Sequence, residues 1–531
     1  MAKPAVFALA ILFATTTAAA QNDSLGPIVD LGYAKYLGKR NDAFNVNDYR
    51  GIPFAAAPTG PLRWKAPQPY IAPSNLSDLP INATVPGSPC VQGVPYWIAP
   101  GPIPVSGSQD CLVLDVITPD DVTTDSKMPV VVSIHGGGYT LGDASQAPPY
   151  ALMRHSDNAF IFVNIQYRLG AFGFMGGKKF VEEGGAENLG LLDQRMALEW
   201  IQKNIGAFGG DAQQVTILGG SAGGGSVTAM LAWKGGVENP PFRAAVADFP
   251  YWQQHLREEQ LDAQFARLLN ATDCPDMDCL RALPEDVLNE ATQTTYTMAY
   301  TEGAYGFGHY YYGPYVDGEI LRDLPSKEYK SGNFAKVPLW LSREGYEGVT
   351  ATNTSLSTVE EEKADLAIQF PYANQDFIDS IYELWPSDEF NSTFYHRATW
   401  YGDFVINCPT YYVGSSVIAS KNTQVYKMIF NTGTKLHGST GPFLIDPNYG
   451  SQPGENITVA DSMKDWYISF AIHADPNYQS WSNVSKPLWE EYSTGQVLSI
   501  NDTEIGAVSD QYYDATERCQ FFWDNGEIVQ H

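Results

Sequence analysis

Gln214-Val215-Thr216-Ile217-Leu218-Gly219-Gly220-Ser221-Ala222-Gly223 decides how this chain is read. Its first half is a short, apolar, β-branched run, the pattern of a strand buried on both faces. Its second half is G-x-S-x-G, in which a strand turns sharply into a helix. Glycines flank the serine because a Cβ there would clash in so tight a turn. The turn lifts the Ser221 hydroxyl above the sheet. It also sets Ser221 at a helix N-terminus, where free N–H groups favour developing negative charge. A glycine-rich helix start with an incidental serine would also match the bare motif. The strand before it and Gly224-Gly225-Ser226-Val227 after it favour a nucleophile.

On either side of this segment, similar apolar runs occupy residues 129–134, 159–165, 337–341 and 424–430. Between 159–165 and 214–218, Leu191, Leu198, Ile201 and Ile205 recur at helical spacing, and Gly206 stops that helix. Alternating strands and helices predict an α/β fold. Right-handed crossovers then build a large, mostly parallel sheet with helices on both faces. Ligands of such sheets bind beyond the carboxyl ends of the strands. Chemistry is therefore expected just after each run.

His135-Gly136-Gly137-Gly138 comes directly after the first run. A loop without side chains lets backbone approach a substrate oxygen closely. The N–H groups of Gly137, Gly138 and Ala222 are expected to form an oxyanion hole. His135 looks catalytic, but such a loop needs it structurally, so it receives no proton-transfer role. A serine hydroxyl is a weak nucleophile and needs a base, which in turn needs an orienting carboxylate. The chain order for this arrangement is serine, acid, histidine. Of eight histidines, His437 lies just past the run ending at Phe430, where the base belongs. His473 reads as a helix residue, and His531 is the last residue. The acid is expected after 337–341, in Arg343-Glu344-Gly345-Tyr346-Glu347-Gly348. Spacing leaves both Glu344 and Glu347 open.

The chain has 531 residues, 44% hydrophobic and 17% charged, with a net charge of -28. That balance fits a large buried core and excludes a disordered chain. So acidic a surface repels nucleic acid. Lys3, an apolar run over residues 5–13 and small residues ending in Ala18-Ala19-Ala20 predict a signal peptide over 1–20. No segment is long and apolar enough to span a bilayer. Residues 21–531 show no repeat and no linker, which predicts one domain in an extracellular protein. Cys90, Cys111, Cys274, Cys279, Cys408 and Cys519 form an even set that suits an oxidising compartment. Asn-x-Ser/Thr sequons begin at Asn22, Asn75, Asn82, Asn270, Asn353, Asn391, Asn456, Asn483 and Asn501, a density that fits a glycoprotein.

Further blocks complete a recognisable series: Gly51-Ile52-Pro53-Phe54 with Pro61-Leu62-Arg63-Trp64, Asp110-Cys111-Leu112, and Tyr167-Arg168-Leu169-Gly170. Asn188-Leu189-Gly190-Leu191-Leu192-Asp193-Gln194-Arg195 and Phe208-Gly209-Gly210-Asp211 continue it. From about Asp48 to Phe522 the chain resembles the type-B carboxylesterase/lipase family, which includes cholinesterases, carboxylesterases and fungal secreted lipases. The resemblance implies the α/β-hydrolase fold and a serine carboxylesterase acting on small-molecule or lipid esters, with no metal or organic cofactor. In this family the acid is a Glu before a Gly, nine residues after a Val-Pro. Val337-Pro338 and Glu347-Gly348 match that spacing, so the resemblance selects Glu347. The His-Gly-Ser-x-x-Pro pattern of fungal members matches His437-Gly438-Ser439 with Pro442. The family also implies the pairs Cys90–Cys111, Cys274–Cys279 and Cys408–Cys519.

The chain departs from its relatives in places. Gly220 stands where many carry a Glu that helps cholinesterases bind a cation, which argues against a cholinesterase. Gln109 replaces a Glu that pairs with an early Arg, leaving Arg63 without that ion pair. The Cys90–Cys111 flap carries Tyr96 and Trp97 but looks shorter than the lid of the family's lipases. That argues against activation on fat droplets. Aromatics at 249–252 and 305–315 suit either a substrate pocket or ordinary core.

The implied mechanism is acyl transfer. His437 takes the Ser221 proton as Ser221 attacks the ester, and Glu347 holds the imidazole. Activity should fall below roughly pH 6–7 as His437 protonates. The alternatives are a lipase or sterol esterase for long acyl chains, or a non-catalytic binding protein of the same family. The survival of Ser221, Glu347 and His437 opposes the last.

Overall fold

The computed structural model describes residues 27–73, 79–101, 103–421 and 424–531. The leader expected at 1–20 and the sequons at Asn22 and Asn75 lie outside the described residues. Eleven strands build the main sheet: β1 (Lys39–Asn41), β2 (Val46–Pro53), β3 (Val113–Pro119), β4 (Met128–Ile134), β5 (Ile161–Ile165), β6 (Gly210–Gly220), β7 (Ala244–Asp248), β8 (Leu339–Glu344), β9 (Val425–Asn431), β10 (Gln496–Asn501) and β11 (Ile505–Ser509). Their spatial order is β1-β2-β3-β5-β4-β6-β7-β8-β9-β10-β11. The run from β5 through β4 and β6 to β10 is parallel throughout. The remaining pairs are antiparallel. A separate small sheet joins Ile28–Asp30, Lys35–Leu37 and Ile81–Asn82.

Strand alternation explains why both faces are apolar. Val130, Val132, Val163, Ile217 and Leu341 enter one core, and Val131, Phe162, Leu218 and Trp340 enter the other. Among the helices that line these cores are α1 (Tyr150–His155), α2 (Leu189–Asn204), α3 (Ala222–Ala232), α4 (Cys408–Ser420), α5 (Gly441–Ile445) and α6 (Ile457–His473). Residues of α2, α3 and α4 pack in the first core. Residues of α1, α5 and α6 pack in the second. Each buried Val, Leu or Phe contributes about 1.5–3 kcal/mol, so the paired cores hold the strand ends rigidly. Among the described residues no helix is long and apolar enough to cross a membrane.

The expected strands are all present. The structure adds the outer strands β1, β2, β3, β10 and β11 and, inside the sheet, β7, an alanine-rich segment wedged in parallel between β6 and β8. Two sequence blocks meet in the core: Arg168 donates from Nε and Nη2 to the two oxygens of Asp193, both side chains buried. That paired geometry is the strong form of an Arg–carboxylate contact. Gln109 keeps a hydrogen bond from Arg63 Nε, 2.7 Å, without a charge. Glu285, which accepts from the Gln109 N–H, supplies a carboxylate nearby. Disulfides join Cys90 to Cys111, Cys274 to Cys279 and Cys408 to Cys519.

Candidate active site

The ends of β4, β6 and β7 and the loop after β9 line one cavity of about 460 Å³, a size usual for small-molecule sites. His135 comes after β4, Ser221 after β6 and Phe249 after β7. Glu347 lies three residues past β8, and His437 six past β9. Ser221, His437, Gly136, Gly137, Phe249 and Tyr310 all line this cavity. A larger groove of about 560 Å³ near His255 and Lys327 is open and holds no serine or cysteine nucleophile.

Ser221 sits at φ 58°, ψ -125°, a strained backbone conformation for a residue with a Cβ. The strain is held by neighbours. Ser221 N–H donates to the Asp248 carbonyl, 3.1 Å, and the Ser221 carbonyl accepts from Tyr251 N–H, 2.9 Å. Gly223 allows the first turn of α3 to touch β4, since a Cβ there would lie 2.1 Å from the Ile134 carbonyl oxygen. Ala222 opens α3, so its N–H is one that no carbonyl of the helix can accept. Gly137 has φ +106° and Gly138 φ +60°, and a Cβ on Gly138 would strike the Tyr310 ring at 2.2 Å. His135 is buried and stacks on Tyr167 at 4.4 Å. Its Nδ1 lies 2.9 Å from the Gly136 carbonyl oxygen. Burial pushes its imidazole down to about 4.

His437 is partly exposed, and its Nδ1 lies 2.6 Å from Glu347 Oε2. Glu347 is buried, and its Oε1 accepts from the Glu344 backbone N–H at 2.6 Å. Gly348 gives the acid its place: a Cβ there would fall 1.8 Å from the Ala398 carbonyl oxygen. Glu344 points elsewhere, to Ser439 and Thr440. His473 ends α6 and pairs with Gln479. His531 is buried and stacks on Phe404 at 4.4 Å, far from a surface role.

The aromatic segments divide between the two readings. Phe249 and Tyr310 line the cavity, whereas Tyr251, Trp252, Tyr305, Tyr311, Tyr312 and Tyr315 are buried. Phe249 also accounts for Gly220. A Cβ on Gly220 would lie 2.6 Å from Phe249 Cζ, so the ring fills the space a larger residue would need. The same ring meets His437 edge-on at 5.0 Å.

Sequence reasoning missed Asp248. Its carboxyl is buried at the cavity floor, where Oδ1 accepts from Ser342 Oγ (2.6 Å) and Trp340 Nε1 (3.0 Å). Tyr467 Oη donates to the other oxygen. Burial pushes this carboxyl from 3.8 up to about 6, against the pull of those hydrogen bonds. The folded protein therefore holds this proton more tightly than the unfolded chain. The resulting stabilisation is full below pH 3.8 and is lost as pH rises through about 6. Asp248→Asn cannot titrate and keeps one oxygen acceptor. Its unfolding free energy relative to the parent should improve by about 2 kcal/mol between pH 4 and pH 8. Denaturant titrations at both pH values check this; an equal difference at each would refute it.

The sequence profile described as the carboxylesterase family matches residues 26–522. The chain is 27% identical to carboxylesterase patB of Penicillium expansum, over 94% of this chain and 96% of that one. It is 28% identical to secreted lipase 1 of Botryotinia fuckeliana, over 88% of each. Among solved structures it resembles Aspergillus niger EstA, with a TM-score of 0.83 and 25% identity, over 95% of this chain and 99% of that one.

Proposed function

The chain belongs to the carboxylesterase family, and from that premise we propose that it is a secreted serine ester hydrolase working through Ser221, His437 and Glu347. The observation that carries the reading is the 2.6 Å contact of His437 Nδ1 with Glu347, in a cavity shared with the strained Ser221. Glu347 fixes the tautomer that leaves a lone pair on His437 Nε2. That lone pair takes the Ser221 proton as Oγ attacks the ester carbonyl. The N–H groups of Gly137, Gly138 and Ala222 receive the negative oxygen, each donor contributing about 3–4 kcal/mol at the transition state. His437 then protonates the leaving alcohol, and water repeats the cycle on the acyl-enzyme. Secretion is supported by the leader expected at residues 1–20 and by a relative named as a secreted lipase.

The test is a p-nitrophenyl ester series from acetate to palmitate, run across pH on the purified protein. Short and medium esters should be favoured, because the cavity is only about 460 Å³. The rate should fall on acidification, since a protonated imidazole has no lone pair to accept the serine proton. A flat profile would remove His437 as the base. A preference for palmitate would turn the reading towards a lipase, the activity in the names of several relatives.

A further inference from the structure

Two glutamates, not one, reach the His437 loop. Glu347 orients the imidazole and spends both oxygens on N–H donors, the Glu344 backbone and His437 Nδ1. Glu344 is the last residue of β8 and has no exposed surface. Its Oε1 accepts from Thr440 N–H (3.1 Å) and Thr440 Oγ1 (2.9 Å), and its Oε2 lies 2.9 Å from Ser439 Oγ. The turn it grips, Gly438 to Thr440, begins directly after His437. Backbone bonds also close it, from Ser439 N–H to the Leu436 carbonyl (2.9 Å) and from Gly441 N–H to the Gly438 carbonyl (3.0 Å), and Glu344 supplies its side-chain anchor. Gly438 takes φ +80°, and nothing lies within 4 Å of a Cβ built on Gly438 or Gly441.

We propose that Glu344 is a positioning residue for the reaction: as a neutral carboxylic acid it clamps the Gly438–Thr440 turn and so holds the imidazole against Glu347 without adding a second negative charge. The proposal rests on the Ser221–His437–Glu347 reading. The two glutamates are buried neighbours, linked by the Glu344 N–H to Glu347 Oε1 contact, and the charge of Glu347 disfavours a second charge on Glu344. Geometry selects which one keeps the proton. Both Glu347 oxygens face N–H groups, whereas Glu344 Oε2 faces a hydroxyl, and a hydroxyl can accept. Burial, and next the charge of Glu347, hold the Glu344 carboxyl well above the usual carboxylate range. Glu347, with both oxygens on N–H donors, is left to orient the imidazole.

The experiment measures kcat, KM and the pH–rate profile on p-nitrophenyl acetate for Glu344→Ala, Glu344→Gln and the double variant Ser439→Ala/Thr440→Val. Glu344→Ala should lose about 100-fold in kcat with KM little changed, because a loosened base misses the nucleophile by a fraction of an ångström or more. Glu344→Gln should recover most of that loss. Its amide mimics the neutral acid, donating to Ser439 Oγ and accepting from Thr440 N–H. Its acid limb should coincide with that of the parent. The double variant removes the two hydroxyl contacts from the other side, keeps Glu344 and the Thr440 N–H contact, and should fall part of the way towards Glu344→Ala. It keeps the proposal testable if Glu344→Ala fails to fold. Parental kcat in Glu344→Ala or in the double variant would overturn the clamp. An acid limb displaced in Glu344→Gln would show that the charge is needed and overturn the neutral-acid assignment. Ser221→Ala separates the two levels: a parental rate there removes the whole site reading, whereas a dead Ser221→Ala beside a parental Glu344→Ala removes only this inference.

Discussion

Ser221→Ala is expected to lower kcat on a p-nitrophenyl ester by about 10⁵–10⁶-fold while substrate still binds. The reason is chemical rather than architectural. Only one oxygen at this site sits on a sharp turn between β6 and α3 within the same cavity as His437. Removing it leaves the backbone donors and the cavity walls, which retain binding and a small residual stabilisation of the transition state. Alanine keeps the Cβ and so keeps the backbone strain at φ 58°. Its melting temperature should therefore stay near that of the parent. Ser221→Gly, by contrast, relieves a conformation costing about 1–3 kcal/mol and should melt higher, with the same loss of activity. Steady-state rates, burst kinetics and thermal melts on the three proteins check this. A burst of p-nitrophenol from Ser221→Ala would mean that the acyl group is carried elsewhere.

Glu347→Gln is expected to lower kcat by about 10³–10⁴-fold. The substitution preserves volume in a buried position, so the fold should survive. It changes which ring nitrogen carries the proton. The Glu347 carboxylate can only accept, and at 2.6 Å it draws the proton to His437 Nδ1. The Glu344 N–H already points at the other oxygen, Oε1. A glutamine therefore keeps its carbonyl oxygen on that N–H and turns its NH₂ towards the imidazole. Nδ1 must then accept, Nε2 becomes protonated, and the lone pair that should take the Ser221 proton is gone. The loss should appear in kcat far more than in KM, because Glu347 is buried and does not line the cavity. A Glu347→Gln enzyme within tenfold of the parent would mean that the tautomer is set by another group.

These two residues were legible to different degrees. Ser221 announced itself because strand, turn and helix are contiguous, so the whole signal lies within ten residues. His437 was legible from its place after a buried run, and the loop 135–138 from the same rule. Glu347 did not separate from Glu344 by local spacing, since both lie close behind the same strand run; the family's Val-Pro interval chose it. In the folded chain the two differ by direction: Glu347 meets the imidazole, and Glu344 meets Ser439 and Thr440.

By itself the sequence determined the alternation of strands and helices, the strand-to-helix turn at Ser221 and the bare-backbone loop at Gly137 and Gly138, and it raised the expectation of a serine, an acid and a base in that order. Those features are short-range, written in periodicity and in residues a few positions apart. Only the tertiary structure decided the rest. Asp248 owes its raised proton affinity to burial among Ser342, Trp340 and Tyr467, brought from 92 to 219 residues away. β7 is a strand because β6 and β8 lie on either side of it, not because its alanines favour one. Phe249 explains Gly220 only once β7 sets its ring over the elbow. Burial, and the partners that come with it, depend on where distant segments meet, and no local pattern encodes that meeting.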